Sequence, residues 1–333
     1  MRSILLCERP ESVKRVFPGY VLEKLEKEAG ADLKIYTKAD VAANAESFGD
    51  VEFIFSTWGM PVFTDEEIGR FFPRLKCVFY AAGTVQSFAR PFLERGIKVF
   101  SAWGANGVPV AEYTSSLIIL ANKGFFRASA AVKSTGYDSG KKLSWKYPGN
   151  FHTKVGIVGA GMIGKKVINL LRACDLGISV FDPFLSDEAA ESLEVEKTDL
   201  RTLFSTCSVV SNHLANNDAT AGMIGGELFR LMPENATFIN TGRGRQIVEP
   251  ELCAVLAERP DLTAILDVTW PEPPEEGSPL YKLDNVILSP HIAGSTGGEV
   301  KRMAEYMLHE FEDFIAGRET KYEVSLKMLE TMA

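Results

Sequence analysis

Short apolar runs alternate with amphipathic stretches along most of this chain. Residues 3–7, 33–36, 51–56, 77–81 and 98–100 are runs of strand length, and residues 20–28, 65–72 and 88–95 between them repeat apolar positions at helical spacing. Strands separated by helices predict a parallel sheet with crossover connections. From residue 106 to about 130 the pattern is helical, with Val110, Ala111, Thr114, Leu117, Ile118 and Ala121 in phase and Pro109 suited to a first turn. Residues 134–150, rich in Gly, Ser, Lys and Tyr, read as a loop or arm, with Trp145 an anchor onto the surface or onto a partner subunit. The alternation then resumes. Strands are expected at 208–213, 237–241, 264–268 and 286–288, helices at 200–204, 226–231 and 249–258, and one amphipathic helix at 297–314. The last helix lies beyond the final strand. The pattern therefore predicts two α/β domains with parallel sheets, Rossmann-like or flavodoxin-like, one inserted in the other: a first domain of 1–103 with 296–333, and a second of 104–295.

The second domain is organised around residues 155–164, Val-Gly-Ile-Val-Gly-Ala-Gly-Met-Ile-Gly. An apolar run, then Gly-x-Gly-x-x-Gly, then helical spacing over 165–171 reads as a buried strand, a tight turn and a helix start facing a phosphate. Gly159 permits the turn, Gly161 lets the backbone approach a pyrophosphate, and Gly164 lets the helix pack close to the strand. The N–H groups at the helix start, at Met162 and Ile163, favour an anion. A second apolar run, 178–181, ends at Asp182, which lies 18 residues after Gly164. A carboxylate there accepts hydrogen bonds from the adenosine ribose hydroxyls and repels a 2′-phosphate, so NAD(H) is expected in preference to NADP(H). The plainer reading of Asp182 is a turn residue before Pro183.

Composition narrows the choices. The chain has 333 residues, 46% hydrophobic and 24% charged, with a net charge of −8, which argues against a nucleic-acid or anionic-membrane partner. Anionic ligands must then be held by local groups such as single arginines. The five cysteines (Cys7, Cys77, Cys174, Cys207, Cys253) are scattered, never form C-x-x-C, and sit mostly in apolar runs. They read as free thiols, without a metal site, in a reducing compartment. The apolar run at the start is too short for a signal peptide, so a cytoplasmic location is expected.

Ligands of open α/β sheets bind beyond the carboxyl ends of the strands. Three residues of the second domain stand there: Arg243 in Asn-Thr-Gly-Arg-Gly, Glu272 in Asp-Val-Thr-Trp-Pro-Glu-Pro, and His291, one of four histidines, in Ser-Pro-His-Ile-Ala-Gly. The set suits hydride transfer to a 2-oxo acid. The arginine offers a fixed fork to a carboxylate and a carbonyl oxygen. The histidine gives or takes the hydroxyl proton, and a glutamate on its other ring nitrogen fixes the tautomer and favours the imidazolium. Each residue also has a plainer reading: a structural histidine, a turn arginine in a surface ion pair, a solvated acidic loop. Their joint placement after a dinucleotide loop favours catalysis. In the first domain, Ser56, Thr57, Trp58 and Gly59 follow a strand and are candidates for the substrate pocket, with Trp58 favouring a compact or flat substrate; core packing is the other reading.

These motifs resemble those of the D-isomer-specific 2-hydroxyacid dehydrogenases over nearly the whole chain. The resemblance implies NADH-dependent reduction of a small 2-oxo acid with Arg243, Glu272 and His291 as the catalytic set. It further implies that Asp267 holds the nicotinamide carboxamide, that Thr241 joins that pocket, and that His213 is a wall of it. Ala82, Gly83 and Thr84 match a family loop that binds the substrate carboxylate through backbone N–H groups. The family is usually a homodimer through the cofactor domain. Two departures stand out. Gly242 lies where the family more often has Ala or Ser, and His213-Leu214-Ala215-Asn216-Asn217 lies where it commonly reads His-Leu-Pro-Leu-Thr, which bears on the cofactor contacts there. A second reading on the same fold is an NAD(H)-sensing regulator of corepressor type with little turnover.

Overall fold

Four-residue apolar runs without charge suit a parallel sheet covered on both faces. The computed structural model, which describes residues 1–330, builds most of them into such sheets. Its strands are β1 (Ser3–Leu6), β2 (Ala31–Tyr36), β3 (Phe53–Ser56), β4 (Cys77–Tyr80), β5 (Lys98–Ser101), β6 (Thr153–Val158), β7 (Leu176–Phe181), β8 (Glu196–Lys197), β9 (Val209–Asn212), β10 (Thr237–Asn240), β11 (Thr263–Leu266), β12 (Val286–Leu288) and β13 (Glu323–Val324). The chain divides into two compact units: Met1–Gly107 with the stretch from Ser295 onward, and Val108–Gly294. Residues 331–333, the end of the expected first domain, lie outside the described residues.

The first unit holds a sheet in the order β13-β5-β4-β3-β1-β2. Its interior is aromatic because three neighbouring strands place phenylalanines in register, Phe55 opposite Phe79 and Phe79 opposite Phe100. The rings stack at 5.1 Å and 4.8 Å. Over them lies the helix Lys301–Ile315, whose Phe311 sets its edge on Phe53, Phe55 and Phe79 at 5.4, 5.5 and 5.7 Å. The pairs are parallel except β13, a two-residue edge strand that runs antiparallel to β5 and was too short to show in the pattern.

The second unit holds a parallel sheet in the order β12-β11-β10-β9-β6-β7-β8. From β6 the chain builds outward to β7 and β8 on one side and to β9 through β12 on the other. The strand order thus reverses beside β6, a topological switch point where such sheets bind ligands.

Three expectations need correction. The helix Trp103–Asn122 starts earlier than Pro109, which lies inside it. The helical pattern to residue 130 is broken at Gly124 (φ +63°), after which a separate helix Phe125–Thr135 begins. The segment 134–150 is not all loop, since it contains the helix Tyr137–Ser144. That helix packs against its predecessor at Gly140, where a Cβ would lie 2.3 Å from Val132 and 2.7 Å from the Ala128 carbonyl. Close backbone approach makes the pair, which composition does not report. Trp145 stays 72% exposed and is no surface anchor within the described residues.

Candidate active site

The chain leaves β6 through Gly159, which takes φ +96°. A Cβ on Gly164 would lie 2.0 Å from the Gly159 carbonyl oxygen, so only glycine lets the following helix, Met162–Leu171, start against the turn. A Cβ on Gly161 would meet nothing within 4 Å. No side chain caps this helix, and the N–H groups of its first turn, at Met162, Ile163 and Gly164, have no intrahelical acceptor. At the end of β7 the Asp182 carboxylate accepts from Ala160 N (2.7 Å) and Phe184 N (2.8 Å), which holds it against the glycine turn. Open space, unclaimed amides and an adjacent carboxylate are what a dinucleotide needs.

His213 follows β9, its Nε2 3.0 Å from Ser211 Oγ. Burial pushes its pKa down to about 4, so the ring is neutral at ordinary pH. Its Nδ1 and the Oδ1 of Asn216 are buried without a hydrogen-bond partner among the described residues. Orphaned polar atoms beside the glycine turn also fit a polar ligand there.

β10, β11 and β12 are parallel neighbours, with Asn240 paired to Leu266 and Leu266 to Leu288. The loops that follow them therefore start side by side. A Cβ on Gly244 would lie 2.0 Å from the Thr269 carbonyl carbon, so the arginine loop packs directly on the glutamate loop. His291 Nδ1 meets Glu272 Oε1 at 2.6 Å, both side chains being part open to water. The Arg243 guanidinium is half-buried and donates from Nη1 to the Gly242 carbonyl (2.8 Å). Burial lowers its pKa and the nearby Glu272 charge acts in the opposite sense. A cavity of about 440 Å³, walled in part by Glu272, Tyr281, Leu288 and His291, adjoins the glutamate and histidine loops.

Asp267 organises the histidine loop. Its buried carboxylate accepts from Ser289 Oγ (2.6 Å), Ile292 N (2.9 Å) and Ala293 N (2.9 Å), and its carbonyl accepts from His291 N (3.0 Å). These bonds hold His291 at φ +54°, a left-handed conformation unusual outside glycine. Three of the roughly four acceptor positions of a carboxylate are thus engaged within the loop. Thr241 is buried, and its Oγ1 pairs with Thr114 Oγ1 at 2.9 Å.

Trp58 and the Ala82-Gly83-Thr84 loop belong to the first unit. Trp58 follows β3 half-buried, with the Arg15 guanidinium 5.8 Å from its ring centre. Ala82 N donates to the Tyr80 carbonyl (2.9 Å), so its amide is already engaged, while Ser101 Oγ holds the carbonyls of Ala82 and Gly83. Among the described residues there is no group of His, Cys, Asp or Glu that could hold a metal, and no helix is long and apolar enough to cross a membrane.

Asn212, Asn240 and Gln246, buried beneath the arginine loop, were not foreseen. A signal existed, since an asparagine ends each of the apolar runs Val-Val-Ser-Asn and Thr-Phe-Ile-Asn.

Comparison with known proteins shows the family of the chain. The D-3-phosphoglycerate dehydrogenase of Archaeoglobus fulgidus is 30% identical over 237 residues, covering 71% of this chain and 44% of that protein. The glyoxylate reductase of Korarchaeum cryptofilum is 28% identical over 313 residues and 92% of each chain. This chain thus spans less than half of the first relative and nearly all of the second. The apo D-mandelate dehydrogenase of Rhodotorula graminis shares the fold, with a TM-score of 0.80 and 20% identity over 97% of each chain. The model for the NAD-binding domain of D-isomer specific 2-hydroxyacid dehydrogenases matches residues 115–293, more than half of the length, and the chain belongs to that family.

Proposed function

We propose that this protein is an NAD-dependent D-2-hydroxyacid dehydrogenase that works as a 2-oxo acid reductase, with NAD(H) preferred over NADP(H). The observation that carries the reading is the 2.6 Å bond between His291 Nδ1 and Glu272 Oε1, with a half-buried arginine on the adjoining loop. Glu272 holds Nδ1, so Nε2 carries the transferable proton. His291 gives that proton to the carbonyl oxygen of the 2-oxo acid, which becomes the hydroxyl. Arg243 binds the substrate carboxylate and polarises the same carbonyl, a task that suits a planar guanidinium fork and gains strength from its partial burial. The dinucleotide, when bound, supplies the hydride. Gly159, Gly161, Met162, Ile163 and Gly164 hold its pyrophosphate, Asp182 its adenosine ribose, and His213, Thr241 and Asp267 line its nicotinamide side. Gly83 and Thr84 offer N–H groups to the substrate, framed by Ala82, and Trp58 limits its size. Exposed Trp145 and Phe151 support a homodimer through the second unit, and the five unpaired cysteines support a cytoplasmic location.

The test is NADH oxidation by purified protein against 2-oxo acids from glyoxylate, hydroxypyruvate and pyruvate to bulky aromatic acids. The panel spans the range suggested by the names of the relatives. Turnover of at least one acid is expected, faster with NADH than with NADPH. Tight NADH binding without turnover of any acid overturns the reading in favour of a sensor.

A further inference from the structure

Three uncharged amides lie beneath the arginine loop. The side chains of Asn212, Asn240 and Gln246 are fully buried, a costly placement for an amide unless its donors and acceptors are met. They meet one another first. Asn212 Nδ2 donates to Asn240 Oδ1 (3.0 Å) and to Gln246 Oε1 (2.5 Å). Their remaining bonds go to two stretches of backbone.

The first stretch is Gly242-Arg243. Gly242 N donates to Asn240 Oδ1 (3.1 Å), Asn240 Nδ2 donates to the Arg243 carbonyl (3.0 Å), and Arg243 N donates to Gln246 Oε1 (3.3 Å). The Gly242 carbonyl accepts from the Arg243 guanidinium itself (2.8 Å). Every main-chain polar group of the dipeptide is thereby bonded, and the loop cannot turn without stranding a buried donor or acceptor. The second stretch is Leu214-Ala215. Leu214 N donates to Asn212 Oδ1 (3.2 Å), and Gln246 Nε2 donates to the carbonyls of Leu214 (2.7 Å) and Ala215 (2.9 Å). The carbonyl of His213, one residue earlier, lies 2.8 Å from the place of a Cβ on Gly159, so this stretch packs on the glycine turn.

We infer that Gln246 is a positioning residue that, through Asn212 and Asn240, holds the Arg243 loop and the segment against the glycine turn in one register. The inference rests on the roles proposed above for Arg243 and the glycine turn. Gly242 makes room for the device: a Cβ there would lie 3.2 Å from both Asn212 Nδ2 and Gln246 Oε1. Gly242 and Ala215, both departures from the family pattern, thus stand against the same glutamine.

The test uses Gln246→Met, which keeps length and removes the amide, and Gly242→Ala, which crowds it. NADH affinity is read by titration calorimetry well below the melting temperature, and kcat and KM on an accepted 2-oxo acid are read beside it. Loss of register weakens NADH binding about fivefold or more and raises KM for the acid in each variant, roughly 1 kcal/mol of lost positioning. A merely structural role lowers the melting temperature and leaves both constants at native values, which overturns the inference. Should Gln246→Met fail to fold, Gly242→Ala, Gln246→Ala and the two combined decide. The smaller residue removes the crowded amide, so the two losses combine to less than their product; full multiplication overturns the coupling. A native protein that binds no NADH overturns the proposed function and this inference with it, whereas a native protein with unaltered variants overturns the inference alone.

Discussion

Replacing Glu272 by glutamine removes one charge and keeps the length of the side chain. The native bond from His291 is 2.6 Å long, as short as the shortest charge-assisted hydrogen bonds, and bonds to charged groups contribute about 1.5–3 kcal/mol. The two side chains are 48% and 40% exposed, so solvent screening selects the lower end. If that bond supports the proton donor in the transition state, about 1.5 kcal/mol is lost there and kcat falls about tenfold. KM for the 2-oxo acid stays level or falls, because Glu272 no longer competes with the substrate carboxylate for Arg243. The melting temperature moves by no more than about 2 °C, as expected of a part-exposed pair. Steady-state kinetics with NADH and an accepted acid, with calorimetric NADH binding as control, measure all three. A kcat within about twofold of native, or a loss expressed wholly in KM, refutes the role given to the pair.

Asp182→Ala removes the hydrogen bond that ties its loop to the glycine turn at Ala160 N and the local bond from Phe184 N, together with the charge proposed to repel a 2′-phosphate. NADH binding weakens and the NADH-to-NADPH ratio of kcat/KM falls toward unity; equal use of both by the native protein contradicts the assignment. Phe311→Ala empties a fully buried site over three phenylalanines and costs about 3–5 kcal/mol in denaturant unfolding. A loss below about 1 kcal/mol there removes the argument for an aromatic core. Burial lowers the His213 pKa from 6.5 to about 4, so the unfolded chain binds a proton in that window that the folded one refuses. Stability is full above pH 6.5 and falls as the pH drops toward 4, by about 3 kcal/mol in all. In His213→Gln the acid-induced fall in melting temperature is smaller; identical slopes count against the buried neutral ring.

What could be read in the sequence follows from how local each constraint is. Gly159, Gly161 and Gly164 announce a turn because each is needed by its immediate backbone, and strand ends point to Arg243, Glu272 and His291 because a loop must follow a strand. The helix Tyr137–Ser144 was missed since its cause is non-local: Gly140 lets it pack against Val132 and Ala128. Gly124 looked like one more residue in a helical pattern, yet a Cβ there would strike the Tyr147 ring, 23 residues on. Asp267 shows the same limit. The family resemblance implies a cofactor contact for it, while most of its bonding holds the loop that carries His291. The amides of Asn212, Asn240 and Gln246 come from the end of β9 and from the end of β10 with the turn after it, and become a unit only when β9 and β10 pair.

The account rests on His291 as the proton donor in an NADH-dependent reduction. The most direct measurement is deuterium transfer from NADH carrying deuterium at both C4 positions of the nicotinamide to C2 of a 2-oxo acid, in the native protein and in His291→Ala. The account predicts a D-2-hydroxy acid labelled at C2 from the native protein. It also predicts a rate about a hundredfold or more lower in the variant, with NADH affinity unchanged. Label transfer at the native rate in the variant would contradict it, as would an unlabelled product or none from a native protein that binds NADH tightly.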